Sequence, residues 1–316
     1  MRVIEAAELH ETLDYASLIE ALRRAFRDGC ELPVRHHHTI GVPGAPDATL
    51  LLMPAWRSGE AVGVKIVSVF PGNAARGLPA VAGLYLLLDG GTGMPRALLD
   101  GQALTVRRTA AASALAASYL ARPDAERLVM VGTGALAPHL IAAHAEVRPI
   151  REVAVWGRSA AKAEAVAKRF AVAGFAVRAV TDLAEAVRRA DIVSCATLST
   201  EPLIDGAWLL PGVHLDLVGG FTPGMREAND EAVRRARVYV DTREGACKEA
   251  GDIVQPLASG VLTPDAIAGD LFDLTRDLRP GRRAATEITL FKSVGTALED
   301  FAAARLAVER MTSVPD

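Results

Sequence analysis

The sequence predicts an α/β protein built around a doubly wound parallel sheet. From Arg127 onward, short apolar runs typical of strands alternate with longer segments of helical periodicity. A glycine-rich turn, VGTGALA at residues 131–137, follows the first of these runs and precedes a helical segment. Residues 31–100 have a different, β-rich pattern that alternates and breaks like strands with turns.

The N-terminal part begins with one predicted helix and continues as strands. Residues 5–29 place apolar side chains at helical spacing, and the segments up to residue 100 alternate and break like strands with turns, among them the tight turn DGGTG at 89–93. An Ala-rich stretch at 103–121 then predicts a long helix. The apolar positions of the first helix are Leu9, Leu13, Ile19, Leu22 and Phe26.

The second half follows the rhythm of strand, helix, strand. Its predicted strands are RLVMV, EVAVWG, AVRAV, DIVSCAT, HLDLVGG and RVYVD. Helices between successive strands imply right-handed crossovers, and these produce a parallel sheet. The C-terminal segment ends in a helix that we expect to pack back on the first part of the chain.

Composition and charge exclude several classes of function. The 316 residues carry a formal net charge of −3 without a basic stripe, so nucleic acid is not an expected partner. No apolar run reaches the roughly 18 residues of a membrane span, and the chain opens without a signal region, so a cytoplasmic protein without a membrane partner is expected. The cysteines are far apart, and of the consecutive histidines only His36 and His38 share a strand face, so no metal site is expected.

The glycine turn predicts a dinucleotide site of the Rossmann type. Gly132 permits the tight turn from strand to helix, and Gly134 allows a pyrophosphate to approach the backbone. The N-terminal amides of the following helix attract an anion. Ala137 stands at the third position, where any small residue allows the helix to pack on the strand.

The end of the second strand favours one nicotinamide cofactor over the other. An acid at this place would bind the 2′-hydroxyl of NAD, but the sequence is VWGRS, with Arg158 and Ser159. Arg158 can pair with a 2′-phosphate. We therefore expect NADP(H) in preference to NAD(H), with NAD(H) as a possible cofactor if Arg158 is only a solvated surface residue.

Motifs along nearly the whole chain resemble the ornithine cyclodeaminase/mu-crystallin family. They are KIVSVFPGN, TGMPRALLDG, RRTAAASALAA, the GTGxxA turn, GGFTPGMRE and EITLFKSVG. The resemblance implies a Rossmann domain inserted into a second α/β domain that binds substrate and forms a dimer. It places the substrate domain at 1–115 plus 296–316 and the NAD(P)-binding domain at 116–295. Cofactor contacts are implied at Gly132, Thr133, Gly134, Ala135, Leu136, Ala137, Arg158, Ser159 and Thr197.

The resemblance also implies which residues hold the substrate carboxylate. They are Arg35 in PVRHHH, Lys65 in VKIVSVFP and Arg108 in RRTAA, where the register favours Arg108 over Arg107. A carboxylate prefers a bidentate guanidinium and nearby cations. Lys65 lies in an apolar strand, and a buried ammonium without an anion would be costly. The alternative is an edge-strand lysine that faces water.

One departure from the family pattern indicates the reaction. Cyclodeaminases of the family carry an aspartate directly after the two small residues of the motif HLDLVGGFTPGMRE, and here that position is Phe221. Phenylalanine cannot exchange a proton, so cyclisation of ornithine is not expected. The motif is similar instead to the branch that reduces Δ1-pyrroline-2-carboxylate to L-proline. Phe221 would line the ring pocket or pack under the nicotinamide, with Thr222 and Asn73 as further polar contacts.

The expected mechanism is reduction of an imine. The cofactor supplies the hydride, and Lys65 or a bound water supplies the proton. The alternatives that remain open are an ornithine cyclodeaminase, an alanine or N-alkyl amino acid dehydrogenase, and a non-catalytic binding protein like mu-crystallin. A small cyclic imino acid and a second copy of the chain are the expected partners.

Overall fold

A computed structural model describes residues 1–172 and 174–312. The chain divides into two compact units, one formed by Met1–Arg108 with the segment from Ala297, and the other by Thr109–Thr296. The first boundary lies inside a helix, between Arg108 and Thr109, whereas the sequence analysis placed it after residue 115. A continuous helix has no break in its pattern, so the sequence offers no signal at this place.

The elements up to residue 120 are mostly strands. In chain order they are β1 (Arg2–Ile4), α1 (Ala6–Thr12), α2 (Tyr15–Asp28), β2 (His36–Ile40), β3 (Ala48–Arg57), β4 (Ala61–Val69), β5 (Val81–Asp89), β6 (Pro95–Asp100) and α3 (Gly101–Leu120). A short 3₁₀ helix at Pro71–Arg76 lies between β4 and β5.

The remaining elements alternate between strand and helix. They are β7 (Arg127–Val131), α4 (Ala137–Val147), β8 (Glu152–Trp156), α5 (Ala160–Lys168), β9 (Ala176–Ala179), α6 (Leu183–Arg188), β10 (Ile192–Cys195), β11 (His214–Leu217), α7 (Asp230–Arg235), β12 (Arg237–Val240), α8 (Arg243–Glu249), α9 (Gly251–Ala258), β13 (Gly269–Asp270), α10 (Leu271–Thr275), β14 (Thr289–Lys292) and α11 (Ala297–Thr312). Short 3₁₀ helices lie at Gly206–Trp208 and Pro264–Ala266.

The predicted single helix over residues 5–29 was wrong, because two helices occupy this segment. The Asp14 side chain accepts a hydrogen bond from the backbone N–H of Ser17, 2.9 Å away, and so caps a new helix at this point. The helix α2 ends at Gly29, whose φ of +76° suits a glycine. The apolar periodicity continues across the break, which explains why the pattern did not reveal it.

The first unit contains a mixed sheet with the strand order β1-β6-β5-β4-β3-β2. The strands β2 to β6 pair with their neighbours in antiparallel fashion, and β1 pairs with β6 in parallel. The helix α11 packs on β3, β4 and β5 and on α2. The C-terminal helix therefore packs on the N-terminal part, as the sequence analysis expected.

The second unit contains a parallel sheet with the strand order β13-β12-β14-β11-β10-β7-β8-β9. All the predicted strands of this region are present, and β14, which the sequence analysis did not assign, lies between β11 and β12. The order reverses between β7 and β10, and ligands of doubly wound sheets bind outside the carboxyl ends of the strands at such a point. The fold class predicted from the sequence is confirmed.

No helix within residues 1–172 and 174–312 combines the length and the apolar character that a membrane crossing requires.

Candidate functional site

The glycine turn after β7 has the geometry that an anion site requires. Gly132 has a φ of +120°, and a Cβ at this position would lie 2.5 Å from the carbonyl oxygen of Ala196, so only glycine fits. A Cβ at Gly134 would meet no described atom within 4 Å, so the turn is open there. The buried Ala137 begins α4. The turn thus presents accessible backbone at the N-terminus of a helix, a place that favours a phosphate.

The end of β8 lies beside this turn. A Cβ at Gly157 would lie 2.6 Å from Cγ2 of Thr133, which shows how closely the two loops approach. Arg158 is exposed, and Ser159 caps α5 because its hydroxyl accepts from the backbone N–H of Lys162. Residues 156–159 contain no acid. An exposed guanidinium without an adjacent carboxylate can receive a phosphate group.

Thr197, after β10, is held by an acid that the sequence analysis missed. Its backbone N–H and its hydroxyl both donate to Oε1 of Glu227, over 2.7 and 2.8 Å. Glu227 is fully buried. Burial, together with the nearby Asp252 carboxylate, raises the pKa of Glu227 to about 7, against the opposing effect of Lys292. The end of β10 therefore rests on a carboxyl group that titrates near neutral pH.

Asp252 and Lys292 extend this buried cluster. Nζ of Lys292 lies 3.1 Å from Oδ2 of Asp252 and also donates to the carbonyl of Gly219. A Cβ at Gly219 would lie 2.4 Å from Oε1 of Glu227, and a Cβ at Gly220 would lie 2.6 Å from Oδ2 of Asp252. The cluster thus requires both glycines and supports the loop that follows β11. The lysine in the apolar segment ITLFKSV was the sequence signal that could have revealed it.

Phe221 and Thr222 lie in this loop. Phe221 is 47% exposed, and Thr222 is partly buried. Asp216 is fully buried in β11, where it accepts hydrogen bonds from Ser113 and Ser194. Its carboxylate is also 3.1 Å from Nε2 of His144. Asp216 is therefore engaged in the core and does not replace an acid at position 221.

Two of the three expected carboxylate-binding residues meet in the first unit. Nζ of Lys65 on β4 lies 3.0 Å from Oδ1 of Asp300, and Nε of Arg108 on α3 lies 3.1 Å from the same oxygen. Nη1 of Arg108 donates to Glu299 over 2.6 Å. Lys65 and Arg108 are 5% and 7% exposed, so the alternative of a solvent-facing Lys65 is wrong. Neither carboxylate was predicted from the sequence, and both lie on α11.

The charges in this cluster oppose the effect of burial. Burial lowers the pKa of Lys65, and the Asp300 carboxylate opposes this change. Burial alone would raise the pKa of Asp300, but Arg108 and Lys65 bring it below its ordinary value. Each carboxylate thus stabilises the charged form of the cation beside it, and each cation stabilises the charged form of the carboxylate.

Two further arginines, Arg107 and Arg35, belong to the motifs RRTAA and PVRHHH. Arg107 faces α1, where it donates to Nδ1 of His10 over 3.1 Å and lies 4.9 Å from the centre of the Tyr15 ring. Arg108 is therefore the residue beside Lys65, as its register suggested. Arg35 is partly buried and directly precedes β2. The pairing of β2 with β3 puts this position in the row of Met53 and Lys65.

Asn73 and the histidines of β2 make local contacts within the first unit. The Asn73 amide donates to the carbonyl of Pro79 over 2.9 Å, which closes its own loop. The rings of His36 and His38 lie 6.3 Å apart on exposed β2, so they share a face. Within the described residues, no group of three or more potential ligands could hold a metal ion.

Comparisons with known proteins identify the family. The chain matches the ornithine cyclodeaminase/mu-crystallin family over residues 2–314. It is 41% identical over 286 residues to the Δ1-pyrroline-2-carboxylate reductase of Paracoccus denitrificans, covering 90% of this chain and 89% of the relative. The Δ1-pyrroline-2-carboxylate reductase of Thermococcus litoralis, solved with NADH and L-proline, superposes with a TM-score of 0.91 at 34% identity and covers 99% of this chain and 98% of its own.

A further solved structure extends the comparison to another activity. An archaeal alanine dehydrogenase dimer with bound NAD superposes with a TM-score of 0.89 at 28% identity, covering 99% of this chain and 96% of its own. The likeness thus spans both units of the chain and most of the length of each of these proteins. This protein belongs to the ornithine cyclodeaminase/mu-crystallin family.

Proposed function

We propose that this chain is an NAD(P)H-dependent reductase that converts the cyclic imine Δ1-pyrroline-2-carboxylate to L-proline. The observation that carries the proposal is the buried pair of cations, Lys65 and Arg108, in a chain that has Phe221 where a cyclodeaminase needs an acid. The similarity of the chain to the reductases of P. denitrificans and T. litoralis, over most of the length of each, supports it. The six-membered Δ1-piperideine-2-carboxylate, which would give L-pipecolate, is a second substrate to be tested.

The proposed cofactor is NADP(H) in preference to NAD(H). The open backbone at Gly134 fits a pyrophosphate, which the turn Gly132–Ala137 and the N-terminus of α4 would hold. The exposed Arg158 would pair with the 2′-phosphate, and Ser159 can still donate its hydroxyl proton. Thr197, fixed by Glu227, would contact the cofactor at the end of β10. The bound cofactor supplies the hydride.

The proposed carboxylate site uses Lys65 and Arg108, with Arg35 as a third cation. Asp300 engages one of the three hydrogens on Nζ of Lys65. The bonds of Arg108 to Asp300 and Glu299 use Nε and Nη1, so that Nη2 can turn to a ligand. Since the two carboxylates neutralise these cations, Arg35 would balance the charge that the substrate adds.

In this proposal the ring nitrogen receives its proton from Nζ of Lys65. Reduction adds one hydride to the ring carbon and one proton to the nitrogen of the C=N bond, which becomes CH–NH. Burial lowers the pKa of Lys65, and this makes its ammonium a better acid. The Asp300 carboxylate stabilises the ammonium until the substrate is in place.

The function is tested by following the oxidation of NADPH with different substrates. We expect turnover with Δ1-pyrroline-2-carboxylate and L-proline as the product. Turnover with pyruvate and ammonia, but not with the cyclic imine, would identify an amino acid dehydrogenase. Release of ammonia from L-ornithine would identify a cyclodeaminase and overturn the proposal, as would cofactor binding without any turnover.

The outer face of the sheet in the first unit supports a homodimer. The helix α11 packs on one face, and the other presents apolar side chains that are only partly buried, with Leu84 43% exposed. A face of this kind favours association with a second copy. Leu86→Glu should give monomers in analytical ultracentrifugation, and a wild-type monomer would contradict the proposal. The face includes Leu52, Pro54, Trp56, Val62, Val64, Ile66, Leu84, Leu86 and Leu88.

A further inference from the structure

We infer that Asp300 is a positioning residue of the proposed reduction: its carboxylate holds Lys65 and Arg108 in the arrangement that binds and protonates the imine. The inference rests on the proposed function and adds to it a residue of α11, 235 residues after Lys65 along the chain. Asp300 acts through the two cations and needs no contact with the substrate itself.

The geometry of the carboxylate supports this role. A single oxygen, Oδ1, accepts from both Nζ of Lys65 and Nε of Arg108, over 3.0 and 3.1 Å. Two donors that share one acceptor atom cannot move apart without losing a charge-assisted hydrogen bond. Asp300 itself is fully buried, and α11 packs on the strand that carries Lys65. The carboxylate therefore sets the distance between the two cations.

Asp300 is the carboxylate that pairs with both Lys65 and Arg108. Lys65 faces it from β4 and Arg108 from α3, while Glu299 on α11 pairs with Nη1 of Arg108. Tyr85 on β5 interacts with Asp300 electrostatically. Among the described residues, the Tyr85 hydroxyl has no hydrogen-bond partner, and neither has Oδ2 of Asp300. Asp300 accepts from both the lysine and the arginine, whereas Glu299 accepts from Arg108 and acts on Lys65 through its charge.

The charge of Asp300 also raises the pKa of Lys65 against the effect of burial. Burial and the positive charge of Arg108 both lower the pKa of Lys65, and the Asp300 carboxylate is the main group that raises it. Replacing that carboxylate with a neutral amide would remove this support while leaving the shape of the residue almost unchanged. Lys65 would then lose its proton at a lower pH and could neither bind a carboxylate nor donate a proton.

The test compares D300N, D300E and the control E299Q in the full-length protein. We expect D300N to lose roughly 100-fold in kcat/KM, as for a misplaced catalytic group, and to move the alkaline limb of its pH profile to lower pH. D300E keeps the charge but shifts its position, so it should lose kcat while its alkaline limb stays near that of the wild type. E299Q should lose less than D300N and keep its alkaline limb closer to the wild type, because Glu299 bonds Arg108 and raises the pKa of Lys65 less than Asp300 does.

The outcomes separate this inference from the proposed function. Folded D300N with the kcat/KM and the pH profile of the wild type overturns the inference. If D300N does not fold, D300E provides the test. A wild-type kcat in D300E would show that the exact position of the carboxylate does not affect the reaction, and this would overturn the inference. If the wild type reduces no imine, the proposed function fails, and calorimetric binding of L-proline to wild type and variants still tests Asp300. Equal affinities would then overturn the inference.

Discussion

The buried acid Glu227 should contribute a pH-dependent part to the stability of the second unit. Burial raises its pKa from 4.5 to about 7 in the folded chain. The folded state therefore binds the proton more tightly than the unfolded state, and the stabilisation is complete below pH 4.5 and is lost as the pH rises through about 7. At 1.36 kcal/mol per pKa unit, the difference is about 3 kcal/mol in the free energy of unfolding.

The variant E227Q should remove this dependence. The amide oxygen can still accept the two hydrogen bonds from Thr197, and the amide stays neutral at every pH. A change of about 3 kcal/mol corresponds to roughly 6–12 °C in the melting temperature of a unit of this size. Between pH 5 and pH 8 the wild type should therefore lose about that much relative to E227Q in thermal melts.

The control variant is E231Q, at a partly exposed glutamate on the nearby α7. Its melting temperature should follow that of the wild type across the same pH range. If wild type and E227Q change in parallel between pH 5 and pH 8, then Glu227 is ionised in the folded chain throughout this range. The reasoning from burial and from the neighbouring carboxylate would then be refuted.

The remaining predictions concern the cofactor and the reaction. Arg158→Ala should raise KM for NADPH about tenfold with little effect on KM for NADH, in steady-state kinetics with each cofactor. Gly132→Ala should lower the melting temperature, because its Cβ would lie 2.5 Å from a carbonyl oxygen, whereas Gly134→Ala should fold normally and weaken cofactor binding in fluorescence titrations. Phe221→Asp should lower the rate of imine reduction, by placing an anion at the loop after β11, without producing ammonia from L-ornithine.

Specific results would contradict these predictions. If the wild type has a higher kcat/KM with NADH than with NADPH, the assignment of Arg158 to the 2′-phosphate site is wrong. Full thermal stability of Gly132→Ala, or unchanged cofactor affinity of Gly134→Ala, would contradict the assigned turn. Ammonia formation from L-ornithine by Phe221→Asp would show that this position alone separates the two reactions of the family.

Local patterns were enough to predict most of the parallel sheet and its glycine turn. The strand β7 coincides with the predicted RLVMV, and the need for glycine at position 132 follows from the turn itself. The break between α1 and α2 was missed because Asp14 caps a helix inside a continuous apolar pattern. The strand β14 was missed because it adjoins the predicted C-terminal helix and carries the charged Lys292.

The charged clusters could not be predicted in the same way. Lys65 was identified as a buried cation in need of an anion, but its partner Asp300 lies 235 residues further along the chain. The acids that hold Thr197 and Lys292 are likewise distant in sequence, and nothing in the pattern of Glu227 or Asp252 distinguishes them from surface acids. Residue types and spacing thus predicted the parallel sheet and the glycine turn, because both depend on neighbours along the chain, whereas Lys65 and Arg108 were proposed from the family resemblance. The acids that pair with these cations are determined only by tertiary packing. A buried charge without a partner is costly, and the fold decides which acid lies close enough to pair with it.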